Sequence, residues 1–99
     1  MKLVRVTFQF QFQEAIERIL LDRRIRDYVI VPHAEGRDRD GRHDNSQAFP
    51  GYSALAEAAV EDDEVSDLLA GLRRFRDDRA PHHHVRAYVV AVERSLDDV

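Results

Sequence analysis

The chain has no cysteine and no tryptophan, a single lysine, three prolines and four glycines in 99 residues. Without cysteine there are no disulfides, no thiolate metal sites and no cysteine nucleophile. No apolar run approaches the ~20 residues that a membrane helix needs, so the expectation is a protein not embedded in a membrane. The start, Met1-Lys2-Leu3-Val4-Arg5, has no long apolar segment behind it and does not read as a signal peptide. A cytoplasmic location is therefore expected. A Ser–His–Asp arrangement and paired buried carboxylates are also not legible, so the chain does not read as an enzyme.

The net charge of −4 argues against general nucleic-acid binding. Lys2 apart, the basic side chains are all arginine, clustered at Arg23-Arg24-Arg26, Arg37-Arg39-Arg42 and Arg73-Arg74-Arg76-Arg79. Each cluster is interleaved with aspartate, the pattern of a solvated face with ion pairs. Arginine also forks onto oxyanions, so a cluster can hold a phosphate.

What is present reads as one domain over residues 1–99 with 43% hydrophobic residues. In "VRVTFQFQF", Val4, Val6, Phe8, Phe10 and Phe12 alternate with polar residues. Period two predicts a strand with one dry face. Its polar face lacks acids, which suits a water-bearing subunit interface. "QEAIERILLDRR" then repeats apolar residues at helical spacing, with acids early and arginines late, matching the helix dipole. A short strand follows from about Asp27 to Pro32.

"HAEGRDRDGRHDNSQAFPG" holds three of the four glycines and few apolar residues. It reads as a long loop, about 34–51, and long loops in small domains are commonly functional. After Gly51, propensity favours one continuous helix, whereas topology favours a strand over Tyr52–Val60 followed by a helix capped by Asp62 or Asp63. With the split, Val85–Val92 becomes the last strand, before a frayed tail at 95–99. The fold class expected is α+β: a ferredoxin-like βαββαβ arrangement, with a four-stranded antiparallel sheet and two helices on one face.

With these elements in order, "RRIRDYVIVPHAEGRDRDGRH", "AVEDDEVSDLLAGL" and "HVRAYVVAVE" resemble the PII superfamily, which includes the nitrogen-regulatory PII and CutA groups. "HDNSQAFPG" is similar to the loop end of small PII-like proteins. The resemblance implies a strand at Tyr52–Val60, a homotrimer with inward-facing sheets, and ligand sites in the clefts between subunits. It also implies a loop, here 35–50, that reports the ligand to a membrane transporter or another protein target. PII proteins that bind ATP carry a glycine-and-lysine phosphate loop before the last strand; here that position reads "RFRDDRAPHHH".

The candidate ligands are a divalent transition metal, slightly preferred, or an adenine nucleotide (ATP, ADP or AMP). His33, His43, His82 and His84 are the candidate metal ligands, imidazole being a good donor for Zn, Cu and Ni. Histidines flanking a strand start are often simply exposed polar residues. Glu35 is a candidate carboxylate partner. Gly36, Arg37, Gly41 and Arg42 can wrap an anion, or form a solvated loop whose charges cancel. Phe49 either pins the loop's return or stacks on a base, and Gly51 and Arg86 complete the candidate ligand set. Glu57, the one acid in its strand, faces solvent or pairs with Arg5 or Arg86. A dimeric α/β-barrel type of small enzyme is the reading from another class.

Overall fold

The alternation at the start of the chain becomes a strand that stops before its pattern does. In the computed structural model, which describes residues 1–38, 41–44, 51–80 and 84–98, β1 spans Lys2–Gln9. Phe10–Phe12 then turn as a single 3-10 element into α1, Gln13–Asp22. The expected dry face thus holds for Val4, Val6 and Phe8, which are buried, but not for Phe10, which stays 42% exposed. The physical reason is that the chain must leave the sheet here. The Phe10 N–H donates to the Tyr52 carbonyl at 2.9 Å, while Phe12 meets Phe75 edge-on at 5.5 Å.

β2 is Tyr28–Ala34, β5 is Ser53–Val60 and β6 is Val85–Ala91. With β1 they form an antiparallel sheet in the order β2-β5-β1-β6. Two short strands, β3 (Gly36–Asp38) and β4 (Gly41–His43), form a separate antiparallel ribbon inside what the sequence presents as loop. α2 is Val65–Arg79. The segment after Gly51 is therefore strand then helix, not one helix. Neither Asp62 nor Asp63 caps α2. The 3-10 turn Asp62–Glu64 intervenes, Glu64 occupies the cap without a side-chain bond, and Asp62 instead accepts from the Met1 amine at 2.7 Å.

One face of the sheet meets the helices. Val4, Val6 and Phe8 of β1 and Ala54, Ala56, Ala58 and Val60 of β5 are buried with Ile16, Leu20, Leu68 and Leu72. Alanine is a weak strand former, yet it fills the buried positions of β5, where small side chains leave room for the larger helical ones.

α1 ends in a Schellman turn: Ile25 N–H donates to Leu20 O at 3.0 Å and Arg24 N–H to Leu21 O at 2.9 Å. Arg24 takes the left-handed position, φ 60°, where glycine is usual. Beside it, Arg23 donates to Ile19 O at 3.3 Å and pairs with Asp67 of α2 at 3.0 Å, lying across Gly71, where any Cβ would collide with the guanidinium.

Tyr28 ties α1 to the edge strand, its hydroxyl donating to Glu17 Oε2 at 2.9 Å. That bond, then burial, then repulsion by Glu17 raise the phenol above its ordinary pKa of 10.0. The folded state holds this proton more tightly than the unfolded chain does. The stabilisation is therefore whole below about pH 10 and is lost as pH rises from there through the folded-state value. Tyr28→Phe is expected to cost about 0.5–1.5 kcal/mol at neutral pH, in urea unfolding, with the gap to wild type closing in strong alkali.

The other face of the sheet is open. By register it carries Val31-Leu55-Thr7-Arg86, then Val29-Glu57-Arg5-Tyr88, then Ala59-Leu3-Val90. Val29 is 67% and Tyr88 58% exposed. In the middle row Arg5 donates twice to Glu57 Oε1, at 2.7 and 3.1 Å. Glu57 thus pairs with Arg5, while Arg86 stands one row away.

Candidate functional site

Three segments meet at one end of the sheet: the end of β1, the ribbon that follows β2, and the approach to β6. Each is placed there by local chemistry. Pro32 sits in β2, an edge strand where its missing N–H is tolerated. The β2–β5 register shifts by one residue between Val31 and Ala34, a bulge that re-aims the chain at His33. The ribbon turns through Gly41 at φ 111°, and the return runs through Gly51 at φ 92°, both in the region that favours glycine. Gly36 lies against Ser53 so closely that a Cβ would stand 2.7 Å from the Ser53 hydroxyl. A bridge between Asp44 and Tyr52 brings the outgoing and returning chain together.

Inside this junction His43 is 8% exposed, the one buried polar or charged residue among those described. Its ring and that of His84 stand 6.0 Å apart, nearly perpendicular at 84°. Gln9 sits between them. Its Nε2 donates to His84 Nε2 at 3.1 Å. The same nitrogen lies 3.5 Å from both nitrogens of His43, a position over the ring face rather than in line with either lone pair.

His33 is elsewhere. It packs between Phe10 and Tyr52, 4.8 Å from each centroid, tilted against the first and stacked on the second. Of the four histidines expected to bind metal, two therefore converge, one stacks, and His82 lies outside the described residues. No group of three histidine, aspartate or glutamate side chains able to hold a metal ion occurs among the described residues.

The expected ligand residues also divide. Glu35 is exposed at the joint between β2 and β3. Gly36, Gly41 and Gly51 serve the backbone. Phe49 lies outside the described residues. Arg37 and Arg42 stand directly opposite one another in the ribbon, while Gly36 pairs with His43. Side chains alternate along a strand, so with His43 turned inward the two arginines project from the ribbon's other face. Arg86 lies on the open sheet face, two residues beyond His84 and in register with Thr7.

Gln9, Phe10 and Tyr52 were missed by pattern reading. The signal for Gln9 was the acid-free polar face of β1, which also carries Arg5 and Thr7. The site thus lies at the margin of the open, partly apolar face.

A concavity of about 870 Å³ runs between α1 and α2, lined among others by Arg18, Arg74, Arg79, Glu14, Asp22 and Asp78. It belongs to the helical side of the sheet. Its charges are of both signs, and it shares no residue with the histidine pair.

No protein-family model matches the chain, and no curated protein matches it in sequence. Solved structures do match. CPII from Thiomonas intermedia, a nitrogen regulatory PII-like protein bound to ADP, AMP and bicarbonate, superposes with a TM-score of 0.73 at 21% identity, over 94% of this chain and 88% of that one. A PII-like signalling protein from Thermus thermophilus gives 0.63 at 22% identity, over 89% and 82%. A DUF3240 family protein from Shewanella baltica gives 0.72 at 13% identity, over 95% and 91%. These likenesses establish the fold: the chain is built as PII-like proteins are. Among the described residues no helix is long and apolar enough to cross a membrane.

Proposed function

We propose that this chain, folded as PII-like proteins are, is a non-enzymatic regulatory sensor. Three copies associate through their open sheet faces. A small ligand binds at each seam, and the 35–50 segment reports its presence to a protein target. The observation that carries this reading is the placing of His43, Gln9 and His84. They sit where the arm leaves the sheet, at the border of the face that a second copy would cover.

The chemistry of that trio favours an adenine nucleotide over a metal. Two imidazoles and a carboxamide offer hydrogen bonds of both polarities, which suit the edge of a heterocycle. A divalent cation in a structural site asks for about four donors. One fold neighbour was bound to ADP and AMP, which supports the same class here. Because the stretch before β6 lacks the glycine-and-lysine phosphate loop, ligands with fewer phosphates fit better than ATP. Arg86, on the open face two residues beyond His84, is the candidate cation to meet them.

A second reading keeps the metal, because two imidazoles do converge. It needs a third donor from the segment at 81–83 or from a neighbouring copy. Thermal shift assays with AMP, ADP, ATP, Zn²⁺, Ni²⁺ and Cu²⁺ separate the two. Stabilisation by AMP or ADP with little response to the cations is expected. A response to the cations alone replaces the nucleotide reading with the metal one.

A further inference from the structure

The open sheet face carries an ion pair at its middle. β5 and β1 are the two central strands of the sheet, and Arg5 stands opposite Glu57 in the middle row, between Val29 and Tyr88. Arg5 donates through Nε and Nη2 to a single carboxylate oxygen, Glu57 Oε1. Among the described residues, Arg5 Nη1 and Glu57 Oε2 therefore make no hydrogen bond within one copy. The two side chains keep 51% and 34% of their surface exposed. Covering such a pair is unfavourable unless its remaining lone pairs and protons find partners. Val29 and Leu55, on the same face, supply none.

We propose that a second copy of the chain supplies them. Glu57 of one copy accepts, through Oε2, from Arg5 of the next, and three such links close a ring about the threefold axis that decides which chains associate. The inference rests on the reading of this face as the seam between three copies, and adds what makes the seam selective. Three sheets that face a common axis approach it most closely at their centres, which is where the pair stands. A threefold interface is heterologous, so what each copy gives differs from what it receives. The pair offers one donor and one acceptor, and three repeats leave neither over. The apolar side chains around it, Val29, Leu55 and Val90, provide adhesion without choosing a partner. Like charges brought together at the axis exclude a wrong one.

The test uses the exchange Arg5→Glu/Glu57→Arg, which keeps the pair inside each copy and reverses only what a neighbour meets. The exchanged chain is expected to give the same mass as wild type in native mass spectrometry. It is then mixed with isotope-labelled wild type, unfolded with it in urea and refolded. The two are expected to sort into separate assemblies, because a mixed ring sets carboxylate against carboxylate and guanidinium against guanidinium. Free mixing, which puts about three-quarters of the trimers in mixed form, overturns the proposal. So does an exchanged chain that folds yet stays single. Arg5→Glu alone is expected to weaken self-association at least about thirtyfold, the loss typical of a broken buried charge pair. Its circular dichroism is expected to be unchanged, since the position is half exposed in a single copy. A variant that stays trimeric overturns the proposal even where the exchanged chain fails to fold. A wild type that runs as a single chain removes the trimeric reading, and the ring with it, whereas free mixing leaves the trimer standing and removes the ring alone.

Discussion

Val29→Asp combined with Val90→Asp is expected to leave a folded single chain of about 11.5 kDa, where the wild type gives about three times that mass by native mass spectrometry or light scattering. The choice of positions follows from the register. Tyr88 is more prominent, but it lies directly opposite Arg5, and an aspartate there would find a cation. Val29 lies opposite Glu57, so an aspartate at 29 meets a like charge. Val90 lies opposite Leu3, where the environment is apolar. Both valines are largely exposed in the single chain, at 67% and 47%, so substitution leaves the helix-covered core untouched. In an assembly that covers this face, each carboxylate is buried unpaired at a cost of several kcal/mol, and threefold symmetry repeats it. Circular dichroism checks that the fold survives. A wild-type chain that runs as a monomer, or a variant that remains a trimer, removes the basis for ligand sites at the seams.

The covered side of the sheet could be inferred from pattern. Val4, Val6 and Phe8 announce their strand by period two, and Leu68, Leu72 and Phe75 announce α2 by helical spacing. Burial is what creates those periodicities, so they are visible without a structure. β5 is ambiguous by composition, because alanine carries a helix preference that only packing overrules; strand topology and the resemblance to PII proteins both point to a strand, and the chain forms one over Ser53–Val60. The failures lie where the chain leaves regular structure. Phe10 continues the alternation but belongs to the turn into α1. The ribbon's sequence reads as loop, since glycine, arginine and aspartate announce turns whether or not two short strands pair between them.

The site was legible only in part, for a related reason. His43 and His84 lie 41 positions apart, and nothing local to either records that Gln9 joins them. Their meeting depends on the bulge at Pro32 and on the ribbon register that points His43 inward. That same register separates Arg37 and Arg42, expected from sequence to wrap an anion, from His43 and His84, expected to bind metal. His33 was grouped with them by residue type, and the bulge that re-aims the chain there leaves it packed between Phe10 and Tyr52.

The largest effect on ligand binding is expected from Gln9→Leu. The substitution keeps about the same volume but removes the amide that spans the two rings. His84 loses its 3.1 Å donor at Nε2. Loss of a hydrogen bond that leaves a partly buried group unsatisfied costs about 1–3 kcal/mol, so AMP or ADP affinity is expected to fall by roughly ten- to a hundredfold in titration calorimetry. His84→Ala is expected to do the same. His43→Ala is less informative, because His43 is 8% exposed and its removal also opens a cavity. Gln9 further separates the two ligand classes. An amide is a poor metal donor, and Gln9→Leu removes neither imidazole, so a Zn²⁺ or Ni²⁺ site would survive it. Nucleotide binding that withstands Gln9→Leu and His84→Ala alike moves the ligand away from this junction. A metal response that survives Gln9→Leu and vanishes in His84→Ala assigns the histidine pair to a cation instead.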